Sequence, residues 1–196
     1  MHQIDIERIE RDINALAQFG FNEADRGIYR QGFSEADMAA RQWLRDRFDE
    51  LGMAHRMDGA GNVIGRYGPD DRPCIMIASH LDSVPAGGIF DGVLGVIAGL
   101  EVMRTLQQAG IEPDFPIEVV GTSEEEGRFG GMLGAQAMTG HLTREWLDSA
   151  RDEHGHALKD AMLAVGLDPH DALHAYRRPE EIKAFLEIHV EQGPVL

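Results

Sequence analysis

A layered α/β fold, with helices on both faces of a sheet, is what this chain predicts, and three observations carry that reading. Short apolar runs of strand length, bounded by turn signals, alternate with longer stretches of helical periodicity, the pattern of layered α/β architecture. Glycines close the helical stretches at Gly20, Gly52 and Gly110, the usual C-terminal signal. Three of the apolar runs finish at His or acidic residues, namely His80, the Glu124–Glu126 run and His189. Open α/β sheets place their sites at the carboxyl ends of strands.

The elements follow in order. Ile6, Ile9, Ile13, Leu16 and Ala17 share one helical face, so residues 5–19 form a first amphipathic helix. Residues 21–33 are a polar, Gly-containing loop. Ser34 then caps a second helix, with Asp37 three positions on as a variant of the capping box. Its stripe of Met38, Trp43, Leu44, Phe48 and Leu51 stops at Gly52. Residues 53–67 read as a hairpin with its turn at Asp58-Gly59-Ala60-Gly61-Asn62. Cys74–Ala78 has the length and composition of a buried strand, and a helix runs from about Gly92 to Ala109. Pro116–Gly121 is the next strand, 130–182 a series of short helices, and 184–190 a last strand.

Composition narrows the class. The chain has 196 residues, enough for one good-sized core or for one domain and part of another. Lys and Arg number 18 against 34 Asp and Glu, a formal net charge of −16, which argues against nucleic acid or an anionic membrane as partner. No apolar run approaches the ~20 residues needed to span a bilayer, and the first residues lack the basic and apolar regions of a signal peptide. Cys74 is the only cysteine, which excludes internal disulfides. A soluble, cytoplasmic protein in a reducing compartment is the expectation.

The candidate chemistry begins where the 74–78 strand emerges into Ser79-His80-Leu81-Asp82, continues through a Gly/Pro-rich loop, and reaches Asp91-Gly92 at the start of a helix. Imidazole nitrogen and carboxylate oxygen are ligands that borderline divalent ions accept. A structural His in a turn and an N-capping Asp explain either residue alone. Glu124–Glu126 follows the next strand framed by Gly121 and Gly127; it reads as a solvated acidic loop, or as one carboxylate on a metal and its neighbour beside a water, as metal-assisted hydrolysis requires. His189, if 184–190 stays extended, shares a strand face with Glu191, and as a lone His reads equally as a core or edge residue. Arg128 pairs with the neighbouring glutamates or with a substrate carboxylate. The histidines between 154 and 174 read as a solvated helical region. Dinucleotide and P-loop glycine motifs and a G-x-S-x-G elbow are absent.

Taken together, Ser79–Asp82 with Gly87–Gly92, then Glu124–Phe129, then His189–Pro194 resemble the amidase/hydantoinase/carbamoylase branch of the di-zinc M20-type metallopeptidase superfamily. That branch includes N-carbamoyl-L-amino acid hydrolases, allantoate amidohydrolases and β-ureidopropionases. The motifs occur in the same order and span nearly the whole chain. The resemblance implies a zinc-exopeptidase-like catalytic domain holding two divalent metal ions, zinc or else manganese, cobalt or nickel. It makes His80 and His189 ligands of one ion, Asp91 the bridging carboxylate and Glu126 a ligand of the second. It makes Glu125 the general base and Asp82 the group that orients His80, and it sets Gln192 against the substrate. Many members carry an extra residue between Gly127 and Arg128, which bears on the role of Arg128 in substrate binding.

Members of that branch are roughly twice as long. The resemblance implies that residues 1–196 are the N-terminal part of the catalytic domain, that a lid and dimerisation domain and a C-terminal segment with a last metal-binding His are absent, and that the chain looks cut at Leu196. Only one metal site is then ligand-complete, and the fragment alone is expected to be inactive, the full-length family being homodimeric. The expected activity is hydrolysis of a linear carbamoyl or ureido C–N bond in a small molecule. An M20-type aminoacylase or exopeptidase is the alternative within the superfamily, and a non-catalytic metal-binding fragment the alternative outside it.

Overall fold

The computed structural model describes residues 3–192. Helix α1 (Ile6–Leu16) starts at Asp5, whose carboxylate accepts from the Arg8 N–H, and α2 (Glu35–Glu50) starts at Ser34, whose hydroxyl accepts from the Asp37 N–H. Asp37 reaches back to the Phe33 N–H, so the capping box forms one residue out of its usual register. The hairpin predicted over 53–67 is present as β1 (Ala54–Met57) and β2 (Val63–Tyr67), its turn held by the Asp58 carboxylate on the Ala60 and Asn62 amides. Next come β3 (Cys74–His80), α3 (Val93–Gln108) and β4 (Ile117–Thr122). Short helices α4 (Leu133–Thr139), α5 (Arg144–Ser149) and α6 (Leu158–Ala164), then two 3-10 turns, lead to β5 (Ile182–Leu186).

The sheet order is β1-β2-β4-β3-β5, antiparallel across the first three strands and parallel across β4, β3 and β5. One face packs on α1, α2 and α3 through a core that includes Leu16, Leu44, Phe48, Val63, Ile77 and Val119. Helix α3 alone contributes Val93, Val96, Ile97, Leu100 and Met103, all fully buried, each worth about 1.5–3 kcal/mol in transfer free energy. The opposite face gathers Ile64, Cys74, Met76, Ala78 and Val120 against Met138 of α4. A separate cluster, including Phe129, Leu133, Leu147, Leu158 and Met162, holds the 129–175 helices to one another.

From β3 the chain crosses by α3 to β4 on one face, then returns over the other face to β5 on the far side of β3. Right-handed crossovers in opposite directions put their helices on opposite faces. They open a crevice between the loops that follow β3 and β4, the place where doubly wound sheets bind ligands. That crevice receives both the His80–Asp82 and the Glu124–Glu126 segments.

The last strand differs from its expected 184–190. It pairs with β3 only as far as Leu186 against Ile77, and the chain then leaves the sheet towards α3. The Ser79 hydroxyl donates to the Glu187 carboxylate at 3.0 Å. The Ile188 carbonyl lies so close to Gly95 of α3 that a Cβ there would stand 2.5 Å from it. His189 is therefore carried on irregular chain beyond the strand, and strand alternation with Glu191 does not apply.

Candidate metal centre

His80 ends β3 with its ring buried, 1% exposed. Its Nδ1 lies 3.0 Å from the Asp82 backbone carbonyl. A carbonyl only accepts, so Nδ1 donates there and Nε2 is the ring atom that faces the site. His189 repeats the arrangement, with Nδ1 3.0 Å from the Val190 carbonyl. The two Nε2 atoms stand 3.3 Å apart, and Asp91 Oδ1 lies 3.7 Å from the first and 3.2 Å from the second. Asp91 Oδ1 is buried and has no hydrogen-bond partner. Two imidazole nitrogens and a buried carboxylate oxygen thus converge on one point, a donor set that a cation would join. Ligand atoms at about 2.0–2.1 Å from a tetrahedral ion lie about 3.3 Å from one another. The donor set and its spacing fit a divalent metal.

Gly92 makes this approach feasible. Its φ of +66° suits glycine, and a Cβ would come within 2.5 Å of the His80 ring. The Gln192 carboxamide donates to Asp91 Oδ2 from the exposed side.

A second group shares His80. Atoms of His80, Glu125 and Glu126 lie within 4.8 Å of one another, and Glu125 Oε2 stands 3.6 Å from His80 Nε2. Glu126 Oε1 is another buried oxygen without a partner. Burial first, and then the charges of Asp91, Glu125 and Asp82, hold the Glu126 carboxyl above the usual carboxylate range against the pull of His80. Such crowding of acids is what a cation relieves.

Asp82 meets His80 through its backbone and the β4 loop through its side chain. Its backbone carbonyl, not its carboxylate, makes the short contact with His80; the carboxylate is 3.9 Å away. The carboxylate oxygens instead accept from the Glu125 and Glu126 amides, both at 3.1 Å. Asp82 therefore joins the β3 loop to the β4 loop. Glu124 turns away into the interior, wholly buried, with its carboxyl pushed up to about 7 by desolvation despite N–H bonds from Phe129 and Gly131.

Arg128 does not pair with the glutamates. Its guanidinium donates to the Gly32 carbonyl at 3.0 Å and to Asp152 at 3.4 Å, and lies 4.7 Å over the Phe129 ring. It lines a cleft of about 610 Å³ together with Asp82, Val84, Glu126 and His156. His154 and His156 are exposed on a turn closed by Asp152, not on a helix. Gly193 and Pro194, which complete the third motif, lie outside the described residues.

Two buried arginines, Arg30 and Arg41, brace the chain beside the site. Arg30 donates to the carbonyls of Leu81, Leu16 and Phe19. Arg41 pairs with Asp37 and donates to the carbonyls of Gly61, Gly121 and Thr122, at the end of β4. Arg41 was findable, because Asp37, Arg41, Leu44 and Phe48 fall on one helical face. Nothing in the polar 21–33 loop distinguishes Arg30.

A doubly wound α/β domain with convergent imidazole and carboxylate ligands at its switch point defines a candidate metal-centre protein. The chain belongs to Peptidase family M20/M25/M40, whose pattern matches residues 76–196. It is 41% identical over 195 residues to the N-carbamoyl-L-amino acid amidohydrolase of Geobacillus stearothermophilus, covering 97% of this chain and 47% of that one. It is 35% identical to the allantoate amidohydrolase of Bacillus subtilis, covering 94% and 45%. The crystal structure of an amidase of the hydantoinase/carbamoylase family from Burkholderia phymatum superposes with a TM-score of 0.88 at 35% identity, covering 100% and 47%. The relatives place the chain in the hydantoinase/carbamoylase branch of the family, and it spans about half of their length. Among the described residues no helix is long and apolar enough to cross a membrane.

Proposed function

We propose that this chain supplies one wall of a binuclear metal-dependent amidohydrolase that cleaves a linear carbamoyl or ureido C–N bond, as in N-carbamoyl-L-amino acids or allantoate. The observation that carries the proposal is the convergence of His80 Nε2, His189 Nε2 and Asp91 Oδ1, with Asp91 Oδ1 buried and without a hydrogen-bond partner. His80, Asp91 and His189 would hold one ion; Asp91 and Glu126 would begin the site of the second. Bound divalent ions lower the pKa of a water and polarise a carbonyl oxygen.

The chain's own residues divide the remaining work. Glu125, a third exposed and beside His80, is the general base: it accepts a proton at its carboxylate and returns it to the leaving nitrogen. Asp82 holds the Glu125 and Glu126 backbone in place. Gln192, exposed and bonded to Asp91, and Arg128, on the cleft wall beside Glu126, are the groups we assign to substrate binding. Since the chain spans about half the length of its relatives, the activity is proposed for the whole protein and metal binding for this chain.

Two measurements test this. Metal analysis of the purified chain should find about one tightly held divalent ion; none would overturn the ligand assignment. In the whole protein, Glu125→Gln should abolish hydrolysis of N-carbamoyl amino acids while the metal is retained. Cleavage of dipeptides or N-acetyl amino acids in place of ureido compounds would favour an exopeptidase or aminoacylase instead.

A further inference from the structure

The loop that presents Glu125 and Glu126 has an unusual backbone. Glu124, Gly127, Gly130, Gly131 and Met132 all adopt positive φ, and two of these are not glycine. Such conformations persist only where surrounding contacts over-determine them. The contacts here are specific. Glu124 Oε1 accepts from the Phe129 amide at 2.6 Å and Oε2 from the Gly131 amide at 3.2 Å. Its backbone carbonyl accepts from Leu133, and that of Glu125 from Met132. Gly32 packs on the stem of the side chain, where a Cβ would stand 2.7 Å from Glu124 Cγ, and Glu124 is wholly buried.

We propose that Glu124 is a positioning residue, whose buried carboxylate closes the 124–132 loop and so fixes where Glu125 and Glu126 stand relative to His80. The inference rests on reading this site as a metal centre. Asp82 takes the amides of Glu125 and Glu126 from the β3 side, and Glu124 takes those of Phe129 and Gly131 from within the loop. Neither carboxylate belongs to the two ligand groups. Groups that hold ligands without touching the metal commonly change affinity when removed.

The test compares Glu124→Ala and Glu124→Gln with Met162→Ala, which opens the helical core at a fully buried residue away from the loop. Zinc and manganese affinity are measured by equilibrium dialysis, and amide exchange across 124–131 by mass spectrometry. Glu124→Ala should weaken affinity about tenfold or more and raise exchange in the loop. Glu124→Gln, which keeps one acceptor oxygen, should lie between it and wild type and serves if the alanine variant does not fold. Met162→Ala should lower thermal stability with affinity within about twofold of wild type. Unchanged exchange and affinity in a folded Glu124 variant would overturn the proposal, as would an equal loss of affinity in Met162→Ala. If the wild-type chain binds no metal, the functional reading fails, and loop exchange alone then decides whether Glu124 orders the loop.

Discussion

The two walls of the site are built differently. His80 and Asp82 leave β3 from the middle of the molecule, each with a side chain 1% exposed, and Asp82 bonds directly to the Glu125 and Glu126 amides. His189 and Gln192 hang from irregular chain beyond β5, an edge strand whose Phe185 and Leu186 are exposed, and the His189 ring is 34% exposed. The first wall is fixed by the sheet and by buried hydrogen bonds whatever the site contains. The second is held by Ser79 on Glu187, by close packing on Gly95, and by its meeting with His80 and Asp91. A cation would therefore order the second wall more than the first.

The largest expected effect falls on His80, which belongs to both ligand groups. His80→Ala should remove all stoichiometric metal, whereas His189→Ala should leave a weaker ion held by His80 with Asp91 and Glu126. Elemental analysis after dialysis distinguishes the two, and equal losses would abolish the contrast between the walls.

The approach to β5 offers the next test. Arg177, just before that strand, donates to Glu118 of β4 at 2.7 Å, and Arg66 donates to the same carboxylate at 2.9 Å. Removing one partner from a buried ion pair costs about 3 kcal/mol, so Glu118→Gln should lower unfolding free energy by about that much at pH 7. Burial pushes the Glu118 carboxyl up, but the bonds from Arg177 and Arg66 more than offset this and hold it below its usual 4.5. A carboxyl lowered by folding stabilises above its unfolded pKa and loses that contribution as pH falls through its folded value. The gap between wild type and Glu118→Gln should therefore narrow below about pH 4.5 in denaturant titrations. A gap independent of pH would mean that packing, not charge, fastens this segment.

Smaller again is Asp82→Asn. It swaps one acceptor for an NH₂ group facing a backbone N–H, and should weaken metal affinity about 10–100-fold with β3 and β4 intact. Smallest is metal removal itself. Chelation should raise amide exchange in residues 187–192 and leave the Glu125 and Glu126 amides protected. Uniform loosening of both walls would show that the first is not prefabricated.

The elements themselves were readable from local physics. Periodicity and caps located α1, α2 and α3 within a few residues, and the turn signals at 58–62 located the hairpin. The apolar runs located β3 and β4, because these segments bury continuous hydrophobic faces whatever their partners. The end of β5 was not readable, since Ala184–Val190 is equally compatible with longer pairing, and where the ladder stops depends on Ser79 and Gly95, far away in sequence.

The site divides along the same line. Its ligand types and their placement at strand ends were in the sequence, which fixes what each side chain can donate or accept. The sequence was silent on the buried role of Glu124 amid three identical residues, on the capture of two amides by the Asp82 carboxylate, and on the Arg30 struts. Only the tertiary structure decided those, because hydrogen-bond direction and burial depend on which chain segments meet, and in a doubly wound sheet the segments that meet at the switch point are far apart along the chain.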